Sequence, residues 1–157
     1  MTINKETNMS FATNEDLVKY YPTAMDHGVA DWTAELTQAQ EDVETLIKSR
    51  WFNKEFDAGS VGYRSLGGFA TYNPAFLTES QWTRATVFRA LSCYILPKLS
   101  TFRPEGDAFK EQLNFFQSRF EEEFNLQLGA GVEYDLNNDN IVTINEKFEV
   151  DSLRLYR

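Results

Sequence analysis

The stretch LTESQWTRATVFRALSCYILP, residues 77–97, restricts the fold more than any other part of the chain. Thr78-Glu79-Ser80-Gln81 fits a capping box, and Leu77 with Trp82 fits a hydrophobic staple, so a helix is predicted to begin here. Projected at about 100° per residue, Trp82, Ala85, Val87, Phe88, Leu91, Tyr94, Ile95 and Leu96 cover nearly the whole circumference. A helix apolar all round has no face for water, so the rest of the chain must surround it. Pro97 lacks an N–H and clashes with the preceding turn, and it is expected to stop the helix at Leu96.

Three further helices supply the surround. The first spans about residues 14–21, capped by Thr13 or Asn14 and ended by Pro22. The second is predicted to start after Asp31 and run to about Phe52. Trp32, Leu36, Ala39, Val43, Leu46 and Ile47 form its apolar stripe. The last is entered through Pro104-Glu105-Gly106-Asp107 and runs to about Leu128, with Gly129 placed to cap it. Phe109, Leu113, Phe116, Phe120 and Phe124 make its core stripe. Phe115 and Leu126 fall on a second face with Arg119 and Glu122, which reads either as ordinary exposed surface or as a contact strip for a neighbouring subunit. Glu121, Glu122 and Glu123 read as a solvated face.

The expected architecture is mainly α: a four-helix, adaptor-like bundle with a C-terminal β-hairpin and an extended C-terminal arm. Residues 1–10 are expected to be a flexible N-terminal arm, 11–129 the helical domain, and 130–157 the hairpin and docking arm. Inside the helical domain, residues 53–77 carry Gly59, Gly62, Gly67, Gly68 and Pro74 among Tyr63, Phe69, Tyr72 and Phe76. A connection of that length usually marks function or disorder, and its aromatics speak against plain disorder.

From Gly131 the pattern changes. Val132, Tyr134 and Leu136 alternate with Glu133 and Asp135, Asn137-Asn138-Asp139-Asn140 makes a turn, and 141–144 suits a returning strand. Asp135, Asn137, Asp139, Ile141, Thr143 and Glu146 also occupy the ligand positions of an EF-hand calcium loop. Asn140 stands where that loop uses glycine, and Leu128-Gly-Ala-Gly-Val breaks any entering helix, so a hairpin turn without metal is favoured.

Composition excludes several classes. A formal net charge of −9 and a sequence pI near 4.6 oppose wrapping a nucleic-acid backbone. Tyr63, Arg64, Phe69 and Tyr72 could stack on bases, but packing is the better reading for them. Cys93 is the one cysteine, so no intramolecular disulfide and no cysteine-based zinc site is possible. His27, the one histidine, lies in a connector, and no nucleophile or phosphate-loop motif is present. The expectation is a non-enzyme with no cofactor and no metal. The N-terminus lacks a signal-peptide pattern and no apolar run could span a bilayer, so synthesis in a cytoplasm is expected.

Taken together, the segments DLVKYYP, QAQEDVETLIKSRWF, LTESQWTRATVFRALSCYILPKLSTFRP and FKEQLNFFQSRFEEEF, with the closing GVEYDLNNDN and RLYR, carry a resemblance. Over about residues 10–157 the chain resembles the head–tail adaptor (connector, or head-completion) proteins of tailed bacteriophages. The resemblance implies a virion neck protein made in the host cytoplasm, forming a ring of about twelve copies under the portal. Such a ring extends the DNA channel, lets DNA pass without specific binding, involves no membrane, and presents a platform to the next neck or tail protein.

It further implies that the C-terminal segment reaches the portal, which nominates Phe148, Val150, Leu153, Arg154, Leu155, Tyr156 and Arg157 as docking residues. Phe115, Leu126, Arg119 and Glu122 are the candidate contacts between subunits. Glu121, Glu122 and Glu123 are the candidates for a phosphate-repelling channel lining. The alternatives are a tail-side completion protein (stopper or terminator) and a calcium-binding regulatory module built on residues 135–146.

Overall fold

A computed structural model describes residues 10–53, 71–100 and 108–148 of the chain. Among them the fold is mainly helical. Helix α1, Asn14–Tyr20, begins as its sequence demands. The Thr13 hydroxyl accepts the Asp16 N–H while the Asp16 carboxylate accepts the Thr13 N–H, a reciprocal capping box. Pro22 then opens a short 3-10 turn, Pro22–Met25, whose Ala24 carbonyl accepts the Trp32 indole N–H at 2.9 Å.

Helix α2, Thr33–Ile47, starts two residues beyond Asp31, because Trp32 itself occupies the cap. The work expected of Asp31 is still done by it: its carboxylate accepts the Thr33 N–H, the Thr33 hydroxyl and the Asn14 amide. The Asn14 side-chain Oδ1 accepts the Trp32 backbone N–H, so α1 caps α2 across space. Past Ile47 the helix widens into a π turn, Lys48–Phe52, which turns both Trp51 and Phe52 into the core.

Helix α3, Glu79–Ala90, is largely buried, with Trp82, Ala85, Val87 and Ala90 fully so, but it is not apolar all round: Glu79, Ser80 and Arg84 are exposed and Gln81, Thr83 and Arg89 half-buried. Its end differs from expectation. A π turn, Leu91–Ile95, leads into a last helical segment, Leu96–Leu99, so Pro97 does not end the helix. Pro97 falls in the first turn of that segment, where its missing N–H costs little. Helix α4, Ala108–Ala130, packs along α3, with Trp82 against Phe124 (ring centroids 5.4 Å) and Phe88 against Phe116 (5.9 Å). Gly129 lies within the helix, and the chain leaves it at Gly131, whose φ of +101° favours glycine.

Polar clamps tie the helices where the apolar stripes run out. Arg89 on α3 donates to Asp42 on α2 at 2.8 Å, and Tyr94 donates to the same oxygen at 2.7 Å. Lys98 pairs with the largely buried Glu35, and Arg50 reaches Glu121 on α4 at 3.3 Å.

After Gly131, strand β1 (Val132–Glu133) pairs antiparallel with β2 (Lys147–Phe148), Val132 opposite Phe148. On its other side the chain is stitched to residues before α3: Tyr134 bridges to Leu77, Thr78 donates to the Glu133 carbonyl, and Asp135 donates to that of Phe76. Tyr134 is buried in a ring cluster with Trp51, Phe52, Tyr72 and Phe76, and its hydroxyl accepts the Asn73 N–H at 3.0 Å. Tyr72 and Phe76 are therefore packing residues, while Tyr63, Arg64 and Phe69 lie outside the described residues.

The returning strand expected at 141–144 does not form. Ile141 and Ile144 are exposed, the latter at 88%, and a 3-10 turn, Ile144–Glu146, precedes the late pairing at Lys147–Phe148. The reason is local competition for N–H groups. Asp135 accepts those of Asp139 and Asn140, Asp139 that of Ile141, and Glu146 those of Asn137 and Thr143. Donors spent on side chains are not free for a ladder.

Candidate protein interface

Arg119, Glu122 and Leu126 follow Phe115 on α4 at helical spacing, so the four form one stripe. Phe115 is 54% and Leu126 62% exposed, large apolar side chains left uncovered on an otherwise polar face. Beside the stripe lies a groove of about 560 Å³ whose other walls are Arg84 and Phe88 of α3 and Tyr20 of α1. All four nominated contact residues thus line one depression.

The groove's charges are balanced internally. The Arg119 guanidinium sits over the Phe115 ring at 5.3 Å and pairs with Glu122 at 3.1 Å. Arg84 lies 5.9 Å from the centroids of both Tyr20 and Phe88 and reaches the Glu123 carboxylate at 3.5 Å. Arginines laid on aromatic faces give a surface that is apolar in the floor and charged at the rim, a composition typical of protein contacts.

Glu123 departs from expectation. It is turned inward and 7% exposed, held by Arg84 and by the Gln127 amide, so it belongs to the groove wall rather than to a solvated face. Glu121 and Glu122 remain exposed. Tyr20 and Arg84 were absent from the sequence-based site. No sequence signal singled out Arg84, an exposed arginine on a helix that also carries Arg89.

The second surface is the tail. Phe148 contributes its backbone to the ladder with Val132, so this first portal-docking candidate begins inside the folded body. Val150, Leu153, Arg154, Leu155, Tyr156 and Arg157 lie outside the described residues. The ladder is fixed to the helices by Gln81, whose side chain donates to the Gly131 carbonyl at 2.7 Å and accepts the Glu133 N–H at 3.0 Å. Gln81 is thereby withdrawn from the capping box expected at residues 78–81, and Thr78 makes no side-chain cap.

Between the strands, Asp135 and Glu146 are each more than nine-tenths buried, and Asn140 has a φ of +65°. Hydrogen bonds from Thr143, its N–H first, hold the Glu146 carboxyl below its usual range against the opposing effect of burial. Among the described residues no group of three or more His, Cys, Asp or Glu side chains is arranged to hold a metal ion. Nor is any described helix long and apolar enough to cross a membrane. Comparison with protein-family models, curated proteins and solved structures returned no match.

Proposed function

We propose that this chain is a structural virion protein, a head–tail adaptor that assembles as a ring beneath the portal, extends the DNA channel and receives neck or tail proteins. The observation that supports this best is the groove beside Phe115 and Leu126, an apolar strip on an acidic subunit. In this reading neighbouring copies meet through Phe115, Arg119, Glu122 and Leu126. The segment beyond Phe148 reaches the portal, with Tyr156 and its flanking arginines as anchors of a favoured type. Glu121 and Glu122 are the acids available to repel DNA phosphates along the channel. The helical fold speaks for an adaptor over a strand-rich stopper or terminator. Electron microscopy of portal mixed with this protein tests the proposal: an added ring supports it, and a bare portal at saturating protein refutes it.

A second reading attaches to residues 135–146 as a calcium loop, favoured by the left-handed backbone of Asn140 at the position where such loops use glycine. Opposing it are β1, which leads toward Asp135 where an EF-hand needs a helix, and the lack, among the described residues, of a group of three His, Cys, Asp or Glu side chains. A calorimetric titration decides between them: the absence of heat at millimolar calcium removes the calcium reading.

A further inference from the structure

We infer that the exposed face of α4 pairs with α4 of a second copy of this chain, the two helices running antiparallel about a two-fold axis. The pattern of the stripe is the first reason. Phe115, Arg119, Glu122 and Leu126 are all exposed and follow one another at steps of four, three and four residues. The order apolar, charged, charged, apolar therefore has the same spacing from either end. Its midpoint falls between Phe120 and Glu121, close to the middle of the 23-residue helix. A two-fold axis at that point sets Phe115 against Leu126 of the second copy and Arg119 against its Glu122, each contact occurring twice. An isologous interface requires that self-complementarity.

Spacing and room agree with it. Steps of three and four residues are those of a coiled-coil seam, and the next step outward reaches Gln112 at one end and Gly129 at the other. In the antiparallel pair these two face each other. Gly129 is exposed, and open space surrounds the position where a Cβ would stand, so the helices can close there. The seam from Gln112 to Gly129 is about 26 Å long.

Charge decides the direction. In a parallel pair each residue meets its own copy, which sets Arg119 on Arg119 and Glu122 on Glu122. The antiparallel pair replaces both repulsions with attractions. Both side chains are more than half exposed, and their 3.1 Å bond within one helix uses one guanidinium nitrogen and one carboxylate oxygen. Two chains of net charge −9 repel at a distance, but at physiological salt that repulsion is screened beyond about 8 Å. A single helix pair is a small interface, which places it among the weak, reversible contacts. The consequence rests on the adaptor reading. An isologous pair uses up this face on both copies and cannot extend into a ring, so the pair is the form away from the portal and parts on assembly.

Sedimentation equilibrium of the full chain, from micromolar to millimolar at physiological salt, tests the pairing. The unmodified chain is expected to dimerise. Arg119→Glu sets carboxylate against carboxylate at both charged contacts, and Glu122→Arg sets guanidinium against guanidinium. Each variant alone is expected to lose at least about tenfold in dimer affinity, with unchanged circular dichroism as the control. Mixed in equal amounts, the two are expected to recover it as a heterodimer. Direction is read by oxidative crosslinking in a Cys93→Ser background, with Phe115→Cys chains mixed with Leu126→Cys chains. Crosslinks between the two variants are expected to outnumber those of either with itself. A chain monomeric throughout, which would leave the face to a different protein, would overturn the inference. So would charge reversals without effect, or an excess of self-crosslinks. A ring on portal from a chain that never dimerises would sink this inference alone. A dimer with no ring would sink the adaptor reading alone.

Discussion

Gln81 and Glu133 are joined by a 3.0 Å hydrogen bond from the strand N–H to the side-chain oxygen, while the Gln81 amide donates to Gly131 at 2.7 Å. One side chain on the central helix thus satisfies two backbone groups of the tail. Gln81→Ala removes both hydrogen bonds and is expected to cost about 1–3 kcal/mol. Chemical denaturation measures the loss. Hydrogen exchange should speed up first in the backbone of 131–134.

The Arg89–Asp42–Tyr94 cluster fixes α3 against α2. Burial, and then the hydrogen bond to Asp42, push the Tyr94 phenol up to about 12. For Arg89, burial is the largest single influence and works against the charge, but the hydrogen bond to Asp42 and the charge interactions with Cys93, Asp42 and Tyr94 together outweigh it and raise its pKa. Asp42→Asn is expected to lower the Tyr94 titration and to destabilise by about 1–2 kcal/mol, discounted for partial solvent exposure. Ultraviolet titration of variant against wild type reads the first effect and thermal unfolding the second.

Glu146 gives a pH dependence with a definite sign. Its folded carboxyl lies below its ordinary value of 4.5, so its contribution is present above that pH and is lost as pH falls through the lowered value. Glu146→Gln should flatten this part of the acid limb of the stability curve. An unchanged acid limb would mean that the loop is not held by this carboxylate.

Phe115 and Leu126 are exposed, so polar replacements should leave the monomer's stability within about 0.5 kcal/mol. Phe115→Ser with Leu126→Ser should nonetheless abolish ring formation on portal. Loss of stability comparable to a core substitution would show instead that these side chains belong to the fold.

Much of the helical core was legible because its causes are local. Thr13 and Asp16 cap α1 by a four-residue pattern, and the stripes at Trp32–Ile47 and Phe109–Phe124 follow helical periodicity. What escaped was decided by partners distant in sequence or by competition for the same atoms. Gln81 fits a capping box, yet the strand from Gly131 to Glu133 claims its side chain. Pro97 reads as a stop, yet the π turn before it resets the helix. Residues 141–144 have strand composition, yet Asp139 and Glu146 take backbone N–H groups that a ladder would need. Within the site, the Phe115–Leu126 stripe could be read from spacing, but only tertiary packing brings Arg84 and Tyr20 to it and turns Glu123 inward.

The central claim is a ring on the portal held through the C-terminal arm. The most direct measurement is electron microscopy of the cognate portal with the full chain and with a chain ending at Phe148, which keeps the β1–β2 ladder. The account predicts a ring beneath the portal with the full chain and none with the shortened one. A portal left bare by both, or an equal ring with both, would contradict it.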